Sequence, residues 1–119
     1  MITDPNEIKS AIDYILSQDM YIRLTRESFN QSCPNPSMAI HVTARNVDEA
    51  VILSEIELAG LEDKSITGSV LFVKSVPLSI GKLQRIVALF SRIGDGNKGL
   101  CNKKPADGEI EIWFFVSAA

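Results

Sequence analysis

The sequence contains few residues of the kinds that build metal and redox sites. Its 119 residues include two cysteines, Cys33 and Cys101, and a single histidine, His41. A structural zinc site normally takes four Cys or His ligands, so we expect neither a metal nor a cofactor. Both cysteines are predicted to lie unpaired in loops. Two prolines, Pro34 and Pro36, predict that Cys33 sits in a stiff, exposed turn.

A long apolar segment and an N-terminal leader are also missing. The longest apolar runs have five residues, as at positions 86–90, whereas about 20 are needed to cross a bilayer. The chain begins with acidic residues, Asp4 and Glu7, and not with the basic, apolar start of a secretion signal. These observations predict a soluble, cytoplasmic protein without a membrane partner.

A strong excess of one charge is absent as well. Twelve Lys and Arg residues stand against 15 Asp and Glu residues, which gives a net charge of −3. This balance disfavours a general affinity for nucleic acids or anionic lipids. The composition that is present, 45% hydrophobic and 23% charged residues, is typical of one globular domain. We place that domain at residues 1–119.

Hydrophobic periodicity predicts three helices. The first begins at Pro5 after the cap residue Asp4. The second follows Asn46 and ends at Gly60, where a left-handed residue is expected. The third begins after Ser79 and ends at residue 94.

Alternation of apolar and polar residues predicts the strands. They are expected at residues 38–44, 70–73 and 109–117, with two further candidates near residues 20–24 and 64–67. Residues 25–37 and 94–108 are predicted as surface loops. The order of elements favours an α+β fold, a two-layer sandwich of three helices on a sheet of three to five strands, with a ferredoxin-like plait as the nearest analogy. The alternative is a three-layer α/β/α arrangement with the first helix on the far face.

The second predicted helix has two apolar sides. At about 100° per residue, one side is formed by Val47, Ala50, Val51 and Leu58, and the other by Ile52, Leu53, Ile56 and Ala59. A helix that lies on a sheet needs only one apolar side, so the second has to be covered by another element or by a partner. Residues 46–63 contain six acids and no Lys or Arg. We therefore predict a partner-binding surface that includes Asp48, Glu55, Glu57 and Glu62.

The following part of the chain has the opposite charge. Between Lys74 and Lys104 there are seven basic residues and one acid, Asp95. Five of the basic residues are candidates for a continuous basic surface: Arg85, Arg92, Lys98, Lys103 and Lys104. A solvated helix face is the simpler interpretation. Trp113 and Phe115 would stack on single-stranded bases if they were exposed beside that surface; otherwise they lie under the first helix or line a protein interface.

Two motif matches fail on their context. Gly94, Gly96 and Gly99 spell G-x-G-x-x-G, but a dinucleotide-binding turn follows a strand and opens a helix, whereas this segment follows a predicted helix. The same segment has Leu100 and Ala106 where a calcium loop needs a glycine and a glutamate. We expect neither ligand.

Four functions fit these observations. The first is a small non-enzymatic protein-binding factor, of the inhibitor, antitoxin or immunity type, that covers a basic partner with its acidic, doubly apolar helix. The second is a homo-oligomeric regulatory or small-ligand-binding domain, in which that helix pairs with its copy about a two-fold axis. The third is an enzyme that uses His41 with a cysteine or with a carboxylate brought in by the fold. The fourth is a nucleic-acid binder that uses the basic face of the third helix.

Overall fold

The structure, a computed structural model, describes all 119 residues and contains four helices and four strands. The helices are α1 (Pro5–Leu16), α2 (Arg26–Ser32), α3 (Val47–Ala59) and α4 (Ile80–Ser91). The strands are β1 (Met38–Ala44), β2 (Ile66–Ser75), β3 (Lys98–Cys101) and β4 (Ile110–Ala118). The predicted α+β class is confirmed, with one helix more than the hydrophobic pattern indicated.

The four strands form one mixed sheet in the order β1-β4-β2-β3. β4 lies antiparallel between β1 and β2, and the short β3 runs parallel to β2. The plait analogy describes the packing of two helices on four strands but not the connections, because α4 follows β2 directly and leads into the parallel strand β3.

Helices cover both faces of the sheet. On one face, α3 and α4 pack against the side chains of β1, β2 and β4 that point towards them, and these residues form the larger buried cluster. On the other face, α1, α2 and the segment between them pack on a second cluster that includes Phe72 and Phe115. The predicted two-layer sandwich has three helices on the sheet, and two of them, α3 and α4, lie on the first face. The third predicted helix, α1, occupies the position that the three-layer alternative gave to it.

The three helix starts read from the sequence are confirmed by side-chain caps. The Asp4 side chain accepts a hydrogen bond from the Asn6 backbone N–H. In the same way, the Asn46 side chain accepts from the Glu49 N–H and the Ser79 side chain from the Lys82 N–H. The prediction that Gly60 adopts a left-handed conformation at the end of α3 is wrong, since its φ of −69° is right-handed. Gly108 is the glycine with a positive φ, 70°.

Helix α2 replaces part of the surface loop predicted at residues 25–37. Thr25 and Ser28 form a reciprocal cap, in which the Thr25 side chain accepts from the Ser28 N–H and the Ser28 hydroxyl accepts from the Thr25 N–H. Phe29 is buried against Phe115, with ring centroids 5.3 Å apart. That contact holds the short helix on the sheet.

Three strand predictions need correction. The candidate strand at residues 20–24 is reduced to a single bridge between Ile22 and Leu100. The candidate at residues 64–67 belongs to β2, which begins at Ile66 and is longer than the predicted 70–73. The loop predicted at residues 94–108 contains β3, which pairs with the interior strand β2.

The N-terminal arm lies along the free edge of β1. Ile2 and Ala39 exchange two backbone hydrogen bonds of 2.8 and 2.9 Å in antiparallel orientation. The arm therefore covers one end of this edge strand. None of the four helices has the length and apolar character needed to cross a membrane.

Candidate protein-binding surface

The two apolar sides of α3 have different environments. Val47, Ala50 and Leu58 are buried against the sheet, and Val51 is half-buried towards α4. On the opposite side, Ile52, Leu53 and Ile56 remain exposed by 59%, 36% and 66%. We call these three residues the α3 patch. The second apolar side is thus left uncovered within the chain.

The other large apolar residues that are exposed are the neighbours Tyr21 and Ile22, which follow α1, and the separate residues Met1 and Ile80. Met1 is the one that extends the α3 patch, because its side chain lies beside Gly60, one helical turn after Ile56. Single exposed apolar residues are ordinary, whereas these three lie together on one side of a helix whose other apolar side is buried.

The acidic residues named from the sequence have different surroundings. Asp48 forms a 2.8 Å ion pair with Arg85 of α4, and Glu57 lies 3.4 Å from the Met1 ammonium group. Glu55 and Glu62 are exposed and make no ion pair. Unpaired negative charge in this part of the chain is therefore carried by Glu55 on the helix and by Glu62 and Asp63 after its end, whereas Glu49 of α3 is paired with Arg45 at 2.8 Å.

A shallow groove of about 250 Å³ separates α3 from α4. Its lining combines three charged and three apolar residues: Val51, Glu55, Arg85, Ala88, Leu89 and Arg92. Acidic and basic residues that the sequence assigns to separate surfaces therefore meet in one groove. The Asp48–Arg85 ion pair links the two helices, and because both side chains are at least half exposed, the pair contributes little to stability.

The five candidate basic residues do not form a continuous surface. Arg85 contacts α3 on one face of the sheet, whereas Lys103 lies 3.6 Å from Asp19, which follows α1 on the other face. Lys98 is in β3 and forms a 2.9 Å ion pair with Asp95, and the hydrogen bond from Lys98 lowers the pKa of that carboxyl. Arg92 and Lys104 are exposed. The arrangement does not provide the basic groove that a nucleic-acid backbone follows.

The fold does bring a carboxylate to His41. Glu111 of β4 lies with Oε2 3.0 Å from His41 Nε2, and its Oε1 accepts a 2.6 Å hydrogen bond from the Tyr14 hydroxyl of α1. The His41 ring also stacks on Trp113, with ring centroids 3.9 Å apart. Trp113 and Phe115 face the α1 side of the sheet, as one of the sequence interpretations had it.

The electrostatics of this group stabilise a charged Glu111 and a neutral Tyr14. Burial acts to raise the pKa of Glu111, but the hydrogen bonds from His41 and Tyr14 outweigh it, so the pKa is lowered. Burial, followed by the hydrogen bond to Glu111, raises the pKa of Tyr14 well above its usual value. Both carboxylate oxygens are occupied and the imidazole is held between Glu111 and Trp113. This geometry ties α1, β1 and β4 together.

The prediction that Cys33 lies in an exposed turn is wrong, and so is the loop environment predicted for Cys101. Both cysteines are buried and unpaired, and both pack in the cluster beneath α1 and α2. The Cys33 Sγ lies 3.2 Å from the Ser117 hydroxyl, and burial raises the pKa of the Cys33 thiol. A buried thiol with a raised pKa is a poor nucleophile.

The glycines of the G-x-G-x-x-G match have a packing role. A Cβ on Gly94 would lie 2.5 Å from the Ser69 hydroxyl, one on Gly96 would lie 1.7 Å from the Ser69 carbonyl oxygen, and one on Gly99 would lie 2.7 Å from the Leu24 side chain. The segment leads from α4 into β3 and opens no helix. The glycines allow this segment to pack closely against β2 and against the residues that follow α1.

No protein-family model matches this sequence, and neither does any curated protein sequence. Similar solved structures exist. One is an FtsZ dimer from M. jannaschii, with a TM-score of 0.63 and 15% sequence identity over 96% of this chain and 36% of the FtsZ chain. A mutant FtsZ from the same organism gives the same TM-score and identity over 94% of this chain and 37% of that chain. The protein therefore spans about a third of the length of those FtsZ chains, and at this identity the likeness concerns the fold alone.

Proposed function

We propose that this protein is a non-enzymatic protein-binding factor that docks a basic partner protein on the exposed side of α3. The observation that carries the proposal is the α3 patch, Ile52, Leu53 and Ile56, on a helix whose other apolar side is already buried. Complete burial of one such side chain is worth roughly 1.5–3 kcal/mol. Contact with a partner would recover that free energy.

Charge favours a basic partner over a second copy of this chain. Glu55, Glu62 and Asp63 are exposed without an ion pair, and residues 46–63 contain no Lys or Arg, the nearest described basic side chains being those of Arg85 and Arg92 in the groove beside Glu55. A two-fold interface places the same surface on both sides, so the acids of α3 would face the same acids of the copy. Lys and Arg on a different protein would instead be attracted, which raises the association rate and selects the partner.

The role that suits this surface is covering the partner's own surface, as inhibitors, antitoxins and immunity proteins do. Such a role needs a rigid, convex element and no chemistry. Helix α3 meets the requirement because Val47, Ala50 and Leu58 fix it on the sheet while the α3 patch points outward. A helix backbone that is already fixed on the sheet loses little conformational entropy on binding.

Photo-crosslinking in the native host tests the proposal. A photoreactive amino acid at Ile56 should capture one protein with basic residues and an apolar contact surface. The same amino acid at Lys9, exposed on α1, is the matched control and should not capture it. Capture of copies of this chain alone would favour the homo-oligomer, and the absence of any product specific to Ile56 would contradict the proposal.

Charge reversal then tests the role of the acids. With the purified captured protein, Glu55→Lys combined with Glu62→Lys should lower the association rate constant about tenfold at low salt and weaken its dependence on salt. Glu27→Lys, on the exposed side of α2, is the matched control and should change neither. Unchanged association kinetics in the double variant would show that the acids do not steer the partner.

A further inference from the structure

The groove between α3 and α4 is continuous with the α3 patch. Asp48 and Glu55 face α4, the first through its ion pair with Arg85 and the second as part of the groove lining. Ile52 follows Asp48 by four residues and precedes Glu55 by three, so it is a neighbour of both on the helix surface. It therefore stands at the rim of the groove, and Ile56 follows one turn later. The patch and the groove form one surface.

The groove has an apolar lining between two free charges of opposite sign. Its apolar residues are Val51, Ala88 and Leu89, of which Leu89 is buried and Val51 half-buried. Glu55 on the α3 side and Arg92 on the α4 side are both exposed, and neither forms an ion pair. A segment in the groove would meet apolar surface below it, a negative charge on one side and a positive charge on the other.

The surface between two helices favours a helix as its ligand. The backbone groups in the middle of α3 and α4 are bonded within each helix, so an extended segment would leave the backbone groups that face the groove without partners. An α-helix satisfies its own backbone and packs by placing side chains into the groove between neighbouring helices. Ala88 is exposed and carries one methyl group, which permits close approach on the α4 side.

No helix of a second copy matches this groove. The exposed apolar residues of α3 have acids on both sides, Asp48 and Glu55 towards α4 and Glu49 and Glu57 on the other side, and no base. Helix α4 exposes one large apolar residue, at its first position. The exposed residues of α1 and α2 are polar or charged apart from Pro5. The occupant is therefore expected to be a different protein.

We infer that the partner docks through an amphipathic α-helix that lies in the α3–α4 groove, with basic side chains along Glu55 and acidic side chains along Arg92. The inference rests on the proposed function and names the element by which the partner binds. Apolar side chains of that helix cover Leu89 and Ile52. Arg85 and Arg92 both line the groove, seven residues or about 10 Å apart along the helix, so two to three turns of the partner helix make contact.

A capped helical peptide of about 20 residues, long enough to form a helix, is the probe for this groove. It carries leucines along one face, lysines on one flank of that face and glutamates on the other. In the unmodified protein, NMR should show chemical-shift changes at the amides of Val51, Glu55 and Ala88. Peptides with lysines on both flanks, or glutamates on both, are the matched controls and should bind about fivefold more weakly, because each brings like charge to one side. Shifts confined to other surfaces, or equal binding of the three peptides, would overturn the inference.

Exchange of the two charges tests the sides of the groove directly. Glu55→Lys alone and Arg92→Glu alone give both sides the same sign, and each should weaken binding of the probe about fivefold at low salt. The double variant again has opposite sides and should restore binding, with the peptide reversed in direction, since turning a helix end over end exchanges its flanks. Both positions are exposed, so the fold is not at risk. A double variant that binds as weakly as the single variants would contradict the inference.

A bulky side chain tests whether the groove itself is occupied. Ala88→Trp fills it and should weaken binding of the probe about tenfold or more, because the added ring occupies the space of the peptide side chains. Lys9→Trp, on the exposed side of α1, is the matched control and should change nothing. Full binding by Ala88→Trp would show that the peptide lies elsewhere. The NMR measurement on the unmodified protein needs no variant and remains decisive if Ala88→Trp does not fold.

The outcomes separate this inference from the proposed function. Capture of a basic protein by a photoreactive amino acid at Ile56, without capture of the same protein at Ala88, overturns the helix in the groove and leaves the function supported. Probe binding in the groove without any capture at Ile56 supports the groove site and overturns the function. A dimer in light scattering that Ala88→Trp converts to a monomer would identify a second copy as the occupant and overturn the inference.

Discussion

At the scale of single residues, Glu111 connects three elements through one carboxylate. Glu111 belongs to β4. Its carboxylate accepts a hydrogen bond from the Tyr14 hydroxyl of α1 and lies within hydrogen-bond distance of His41 of β1. Its side chain is only 12% exposed, and burial of an unpaired carboxylate would be costly. The two contacts offset that cost, so the charged form is the stable one in the folded protein.

We expect Glu111→Gln to lower the free energy of unfolding by about 1–2 kcal/mol at neutral pH, because a charged hydrogen-bond acceptor is lost. The pKa of Glu111 in the folded protein lies below the ordinary glutamate value of 4.5, because the hydrogen bonds from His41 and Tyr14 outweigh the effect of burial. The contribution of the charged Glu111 side chain to the free energy of unfolding is therefore fully present above about pH 4.5. It is lost as the pH falls through the pKa that Glu111 has in the folded protein. Urea titrations of both proteins at a series of acidic pH values should show the difference shrinking. A difference that stayed constant over the acid range would contradict this account.

The buried cysteines predict low reactivity. Cys33 and Cys101 should react with a thiol reagent in the native protein far more slowly than in the protein unfolded by guanidinium, because both side chains are buried and burial raises the pKa of Cys33. The absorbance of the released thiolate measures both rates. Rapid labelling of one thiol in the folded protein would show that this part of the core opens easily.

Residue contacts between distant segments could not be derived from the sequence. His41 and Glu111 are 70 positions apart, and their contact depends on the register in which β1 pairs with β4. Hydrophobic alternation fixes which face a side chain takes, but it does not say which residues lie opposite each other. The same limit applies to the Asp48–Arg85 ion pair. The acids and bases could be assigned to helices, but their pairing depends on how α3 packs on α4.

At the scale of elements, long periodic segments were predicted well and short ones were missed. β1 has the predicted bounds, and α1, α3 and α4 begin at the predicted caps. Helix α2 has seven residues and buries one large side chain, Phe29, so it has too few turns for a periodic pattern. Its cap uses Ser28 in place of the more common Glu or Gln. The exposed α3 patch followed from periodicity, because both sides of that helix could be counted.

Two glycines offer a matched test of how elements approach each other. Gly96→Ala should destabilise the protein by about 3 kcal/mol, because its Cβ would overlap the Ser69 carbonyl oxygen and force the backbone of β2 or the loop to move. Gly81→Ala meets no atom within 4 Å in α4 and should stabilise the protein by roughly 0.5–1 kcal/mol through helix propensity. Chemical denaturation measures both. A neutral Gly96→Ala would show that the loop does not pack closely on β2.

At the scale of the whole molecule, two hydrophobic clusters share one sheet. Neighbouring residues of β2 and β4 point to opposite faces, so Phe114 belongs to the cluster under α3 and α4 and Phe115 to the cluster under α1 and α2. Loss of either cluster would expose one face of every strand. The two layers of helices are therefore expected to unfold together.

This coupling predicts a single unfolding transition. Fluorescence of Trp113, the only tryptophan, reports on the α1 face, and far-ultraviolet circular dichroism reports on all elements. The two signals should give the same midpoint in urea. Earlier loss of the fluorescence signal would show that α1 and α2 detach before the rest of the fold.

The position of β4 has a consequence for the newly made chain. The strand that leaves the ribosome after the other three is the one that fills the space between β1 and β2. Until residues 110–118 have been synthesised, β1 and β2 lack their shared neighbour, and their inward edges stand open to unrelated chains. Nascent forms of this protein should accordingly depend on chaperones, and a stop codon before residue 110 should yield aggregates instead of a smaller folded product.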